Sequence, residues 1–214
     1  MQHPARPTHI MGTYSDALAL SRLAAKTPAE VCTRAKMPAA ALACLHERGT
    51  LRDYLEQLLQ QKMFPEAERY LAFGLPPRDG IWWGSLALRH LQPTLAGPQA
   101  TALHAVVNWV LQPDEKHRQA VEPFAGTSSA AAFLAQAVAW TGGSLFPPRM
   151  PVVKPKLELP HEGLLAALTL AVASVPPPEM EKAHRQVIAL GMQVARGKFL
   201  WSAPVPGSSN RPRS

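Results

Sequence analysis

Residues Thr50-Leu51-Arg52-Asp53-Tyr54-Leu55-Glu56-Gln57-Leu58-Leu59-Gln60, together with Pro65-Glu66-Ala67-Glu68-Arg69-Tyr70-Leu71-Ala72-Phe73-Gly74 just beyond them, decide the fold class. Thr50 and Asp53 stand three apart, the spacing at which each side chain satisfies the other's free backbone amide at a helix start. Leu51, Tyr54, Leu55, Leu58 and Leu59 then recur at i, i+3, i+4, i+7 and i+8, one apolar face of a helix. In the second piece Ala67, Tyr70 and Leu71 turn inward, and Gly74 ahead of Pro76-Pro77 stops it. The pair predicts a helical hairpin.

The same grammar extends in both directions. Upstream, Thr27-Pro28-Ala29-Glu30 predicts a helix start, with a hydroxyl cap, proline at the first helical position and an acid three residues after the cap. Pro38 ends that helix, and a second segment is expected over 38–48, stopped by Gly49. Downstream, Asp79 is expected to cap a helix running to about Leu91, and Gly97-Pro98 to open another whose stripe is Leu103, Val106, Val107, Val110 and Leu111. Residues 113–121 read as a solvated charged helix. Ser128 or Ser129 caps an Ala-rich helix ending at Trp140, which Gly142-Gly143 terminates.

Pro147, Pro148, Pro151, Pro155 and Pro160 exclude a packed helix and predict an extended, polyproline-like crossing over 145–160. A buried helix over 162–175 follows, then the Pro176-Pro177-Pro178 break. A last helix carries Met180, Ala183, Val187, Leu190 and Val194 on one face and closes at Gly197. Strand-like alternation is confined to fragments near Pro151 to Leu159, where prolines demote it. The expected class is all-α, a compact irregular multi-helix bundle with a Pro-rich extended crossing. One helical domain spans 14–201, between a flexible segment 1–13 and a disordered basic tail 202–214.

Composition agrees with a globular chain: 47% of the 214 residues are hydrophobic and 17% charged. Its 22 prolines are about twice the usual ~5% share and chop the chain into short pieces. The net charge of +7 suggests a nucleic-acid reading, but Arg6, Arg211 and Arg213 lie in acid-free ends. Between them 19 bases face 15 acids, an ordinary balance for a soluble domain. Residues 1–13 hold no continuous apolar segment, and the longest apolar run, 164–175, is short of the ~20 residues a spanning helix needs. A cytoplasmic protein is expected, with no membrane insertion.

The same residues carry no catalytic signature. None of the eight histidines stands four from another with a glutamate between, as a zinc-protease helix requires. Gly84-Ser85 and Gly143-Ser144 lack the second glycine of a nucleophile elbow, and a phosphate loop is missing. Cys32 and Cys44 are too few for a metal cluster and read as small buried thiols. The expectation is therefore not an enzyme, with no catalytic, metal or cofactor-binding residues and no cofactor. A site assembled from separated residues such as Asp79, His90 and Glu122 is the enzymatic alternative.

Trp82 and Trp83 are the most informative pair, because neighbours on a helix point about 100° apart and cannot share the centre of one narrow stripe. Trp82 or Trp83 with Phe146, Pro147 and Pro148 are the expected partner-binding residues, since large aromatic anchors dominate interface energetics. The rival reading is a basic helical nucleic-acid-binding regulator using Arg211-Pro212-Arg213 and Lys154-Pro155-Lys156. No aromatics alternate with those cations as a single-strand platform would require.

From Ala130 to Gly197 the features follow in a particular order. An Ala-rich helix comes first, then Trp140, Thr141-Gly142-Gly143-Ser144-Leu145, Pro147-Pro148, the Pro-rich crossing and an apolar helix. Leu190-Gly191 and Val194-Ala195-Arg196-Gly197 close the series. With Trp82-Trp83 upstream, this resembles an uncharacterised bacterial all-helical family over Asp79 to about Trp201; Thr141 replaces the family's usual serine. Members look like accessory proteins of type VI secretion. The resemblance implies a cytoplasmic adaptor or co-chaperone whose partner is a secreted effector, a spike-tip protein or a second chaperone. It implies no catalytic residues.

Overall fold

The computed structural model describes residues 20–46, 48–146 and 149–201. Among them the chain is all helical, with ten α-helices, two short 3₁₀ turns and no strand. In chain order the helices are α1 (Pro28–Ala35), α2 (Ala39–Leu42), α3 (Leu51–Gln60), α4 (Phe64–Gly74) and α5 (Pro77–Leu91). They continue as α6 (Gly97–Leu111), α7 (Glu115–Ala120), α8 (Ala130–Ala139), α9 (Leu159–Ala173) and α10 (Met180–Ala195). The expected ends 1–13 and 202–214 lie outside the described residues.

Four helix starts, those of α1, α3, α7 and α8, follow local side-chain chemistry. Thr27 accepts from the Glu30 amide to begin α1, and Ser129 from Ala132 to begin α8. Thr50 and Asp53 form the full reciprocal box of α3, at 3.1 and 2.8 Å. Packing then takes over. Tyr54, Leu55 and Leu58 of α3 are buried, with the Tyr54 and Tyr70 rings in edge contact at 4.9 Å across the predicted hairpin.

Helix α5 runs through the middle, packed against α6, α8, α9 and α10. Its Gly80 and Gly84 form a shallow seat on one face. A methyl group on Gly84 would lie 2.6 Å from the Leu134 side chain of α8 and 2.7 Å from Leu164 of α9. On another face Trp83 is fully enclosed and donates its indole N–H to the Val187 carbonyl of α10 at 2.8 Å. Gly191, one turn on, makes this possible, since a Cβ there would meet the indole ring at 2.7 Å. Trp82-Trp83 and Leu190-Gly191, two of the marks carrying the family likeness, are thus halves of one joint.

Several boundaries differ from expectation. Helix α5 starts two residues before Asp79, because Pro76-Pro77 supplies a ready-made first turn. The Asp79 carboxylate, 1% exposed, instead takes two hydrogen bonds from Arg22, at 2.8 and 2.9 Å. The segment expected over 38–48 is a single short turn, α2. Helix α9 begins at Leu159 and accommodates Pro160 in its first turn, where no N–H is missed. The chain from Leu20 re-enters the core alongside the end of α10, with the Arg22 N–H on the Ala195 carbonyl at 2.8 Å and Ala24 on Gly74 at 2.9 Å.

No single helix among the described residues is long and apolar enough to cross a membrane. The apolar pair formed by α9 and the segment Pro177–Ala195 is bent by 120°.

Two histidines set opposite pH limits on this core. His184 of α10 lies 2.8 Å from Glu68 of α4, a carboxylate 3% exposed, and this hydrogen bond raises the imidazole above its ordinary value. Burial also raises the Glu68 carboxyl, so the folded pair holds its proton more tightly than the unfolded chain does. That contribution is complete below about pH 6.5 and is lost as pH climbs through the raised folded value. His161 packs on Phe73 with Nδ1 unpartnered, and burial lowers its value. Its contribution is complete above about pH 6.5 and is lost as pH falls through the lowered value. Urea midpoints measured from pH 5.5 to 8.5 should peak near the middle of this range. His184→Gln should flatten the alkaline limb and His161→Gln the acid limb; limbs unmoved by either variant would refute the assignment.

Candidate docking surface

The Thr-Gly-Gly-Ser-Leu run after α8 is a clamp built around one arginine. Thr141 donates its hydroxyl to the Val138 carbonyl at 2.7 Å, and Arg118 donates to the Ala139 carbonyl at 3.0 Å; together they satisfy the end of α8. Arg118 sits on α7, the segment expected to be solvated, yet its side chain is 8% exposed and ion-paired to both Glu115 and Glu122. Those two exposed glutamates hold its guanidinium above the usual arginine range. The guanidinium lies against Gly142-Gly143. A Cβ at Gly143 would stand 2.7 Å from Nη2, and the residue's φ of +69° is itself glycine territory.

Ser144 then ties down the crossing. Its Oγ accepts from the Phe146 amide at 3.1 Å and the Val153 amide at 3.2 Å, while the Leu145 N–H reaches the Val153 carbonyl at 2.8 Å. The segment is thereby closed into a loop held from inside. Arg149 has a φ of +82°, a conformation that costs a non-glycine residue about 1–3 kcal/mol.

This loop turns its apolar side chains outward. Leu145, Phe146, Met150, Val152, Val153 and Leu157 are all exposed, Leu157 by 86%. On one side of it lies an open groove of about 430 Å³ with Pro77, Trp140, Pro155 and Leu157 as apolar lining and Lys154 and Lys156 among its polar residues. On the other side a broader depression of about 620 Å³ runs from Glu115 and Arg118 to Phe146 and Met150. Gly143 belongs to both.

The sequence-expected anchors fall in different places. Phe146 is 46% exposed and lines the second depression. Trp83 is in the core. Trp82 is half-buried and lines neither depression; its indole N–H bonds to the Phe199 carbonyl, and Trp201 crosses it edge-on while packing over Arg78 at 4.1 Å. Pro147 and Pro148 lie outside the described residues.

Spacing alone did not single out Trp140, Met150, Val152 or Leu157. A signal existed, since aliphatic residues interleaved with prolines cannot reach a helical core.

The separated residues Asp79, His90 and Glu122 do not converge. Asp79 and His90 occupy opposite ends of α5, about 16 Å apart along its axis. Asp79 serves Arg22, and Glu122 serves Arg118. Among the described residues no group of three His, Cys, Asp or Glu side chains is placed to hold a metal ion. Cys32 and Cys44 are free thiols, the first buried.

An all-helical domain displaying a clamped, apolar-faced, proline-rich loop is the class these features define. Residues 54–195 match the model of a family of unknown function, DUF6931, and the chain belongs to that family. No curated protein and no solved structure matches the chain.

Proposed function

We propose that this protein is a non-enzymatic adaptor or co-chaperone that holds another protein against the crossing 144–157. The observation carrying this reading is the set of six exposed apolar side chains on a loop whose backbone is tied internally by Ser144. Scattered apolar residues on a surface are ordinary, but a contiguous group on a pre-shaped segment marks a contact site. Preorganisation also lowers the entropy lost on binding. The family likeness carried by the Thr-Gly-Gly-Ser-Leu and Trp-Trp segments supports a bacterial cytoplasmic setting. It also supports a type VI effector, spike-tip protein or second chaperone as the partner.

The test is affinity purification of the tagged chain, with nuclease present, from the cells that make it. The wild type is compared with the double variant Phe146→Glu, Leu157→Glu, whose altered positions are exposed and outside the core. A stoichiometric protein retained by the wild type and lost by the variant is the expected result. Identical retention by both would refute the reading, and bound material that vanishes with nuclease would favour the basic nucleic-acid-binding regulator.

A further inference from the structure

From the charge around this loop we infer that its occupant is a short acidic and aliphatic segment of a different protein, seated in the groove between Trp140 and Leu157. The inference rests on the adaptor reading and adds the chemistry of the partner. No aspartate or glutamate lines the groove, and Arg149, Lys154 and Lys156 all lie in the crossing and are exposed; the exposed acids Glu122 and Glu158 bound this stretch on either side. Lys154 and Lys156 line the groove together with Trp140, Pro77 and the 86%-exposed Leu157. Such a site offers aliphatic side chains an apolar floor and carboxylates two ammonium groups beside it.

A second copy of this chain is the wrong shape of charge for the site. A two-fold contact sets the same patch against itself, so the Lys154 and Lys156 lining one groove would face their own equivalents, and the groove lining supplies no carboxylate to offset them. Addition of a partner strand is disfavoured too. Pro151 and Pro155 have no N–H, and Val153 already spends its N–H and C=O on Ser144 and Leu145. Recognition therefore falls to side chains, through aliphatic burial steered by complementary charge.

The experiment uses the full-length chain, immobilised, to select from a random twelve-residue peptide phage library. Parallel selections use Lys154→Glu/Lys156→Glu and Phe146→Glu/Leu157→Glu, each first shown to keep wild-type helicity. The expected winners on the wild type combine Asp or Glu with Leu, Ile or Val. As synthetic peptides they should bind the charge-reversed variant about ten-fold more weakly and lose affinity as salt rises. Winners that are aliphatic but neutral or basic, and still lost with Phe146→Glu/Leu157→Glu, would overturn the acidic inference while leaving the docking reading standing. Selection that ignores both variants would overturn both, as would displacement of every winner by a single-stranded oligonucleotide at equal affinity.

Discussion

Replacing Trp83 by alanine is expected to remove about 3–5 kcal/mol of folding free energy. The indole is fully enclosed between α5 and α10, so its loss opens a void that the seat at Gly191 cannot collapse to fill. The Val187 carbonyl simultaneously loses the indole N–H. Against a typical stability of 5–15 kcal/mol, such a change leaves a small domain close to its threshold. Trp83→Phe keeps most of the ring and should cost less. Urea unfolding followed by far-UV circular dichroism gives both values. A loss below about 1 kcal/mol for the alanine variant would mean that α10 does not depend on this joint.

The Arg22 and Asp79 pair should respond unequally to removal of its two members. Asp79 is 1% exposed whereas the Arg22 side chain is 40% exposed, so the partners differ in what they can do alone. Arg22→Met strands a buried carboxylate, and breaking a buried pair in that way costs about 3–5 kcal/mol. Asp79→Asn keeps the shape and an acceptor oxygen while Arg22 can turn to water, for which about 1–2 kcal/mol is the expected cost. Urea midpoints of both variants and of the double variant test this. Equal losses, or a larger loss from Asp79→Asn, would show that the carboxylate is not the dependent partner.

The all-α class was legible from apolar periodicity, and the starts of α1, α3 and α8 because they depend on residues three apart. Thr50 and Asp53 cap each other, while the Thr27 and Ser129 hydroxyls accept from the amides of Glu30 and Ala132. What escaped is what distance in sequence conceals. Asp79 has the spacing of a cap, yet Arg22, 57 residues away, takes its carboxylate. Arg118 sits in a run as charged as any solvated helix, and only the fold reveals that Ala139 and Gly143 enclose it.

The candidate site was half readable in the same sense. Pro147, Pro148, Pro151 and Pro155 place the crossing, whereas its neighbours Pro77 and Trp140 arrive from α5 and from the end of α8. Trp82 and Trp83 could not be told apart by periodicity, because what separates them is Gly191, 108 residues beyond Trp83 in the sequence.

Arg22 and Trp201 rest on consecutive residues of α5, Asp79 and Arg78. The described chain therefore ends beside where it begins, and the domain is topologically close to a ring. A circular permutant could join residue 201 to residue 20 through a short linker and open the chain at Gly126, where an added methyl group would touch nothing within 4 Å. Such a molecule would carry its new termini between α7 and α8 while leaving the crossing and its clamp intact.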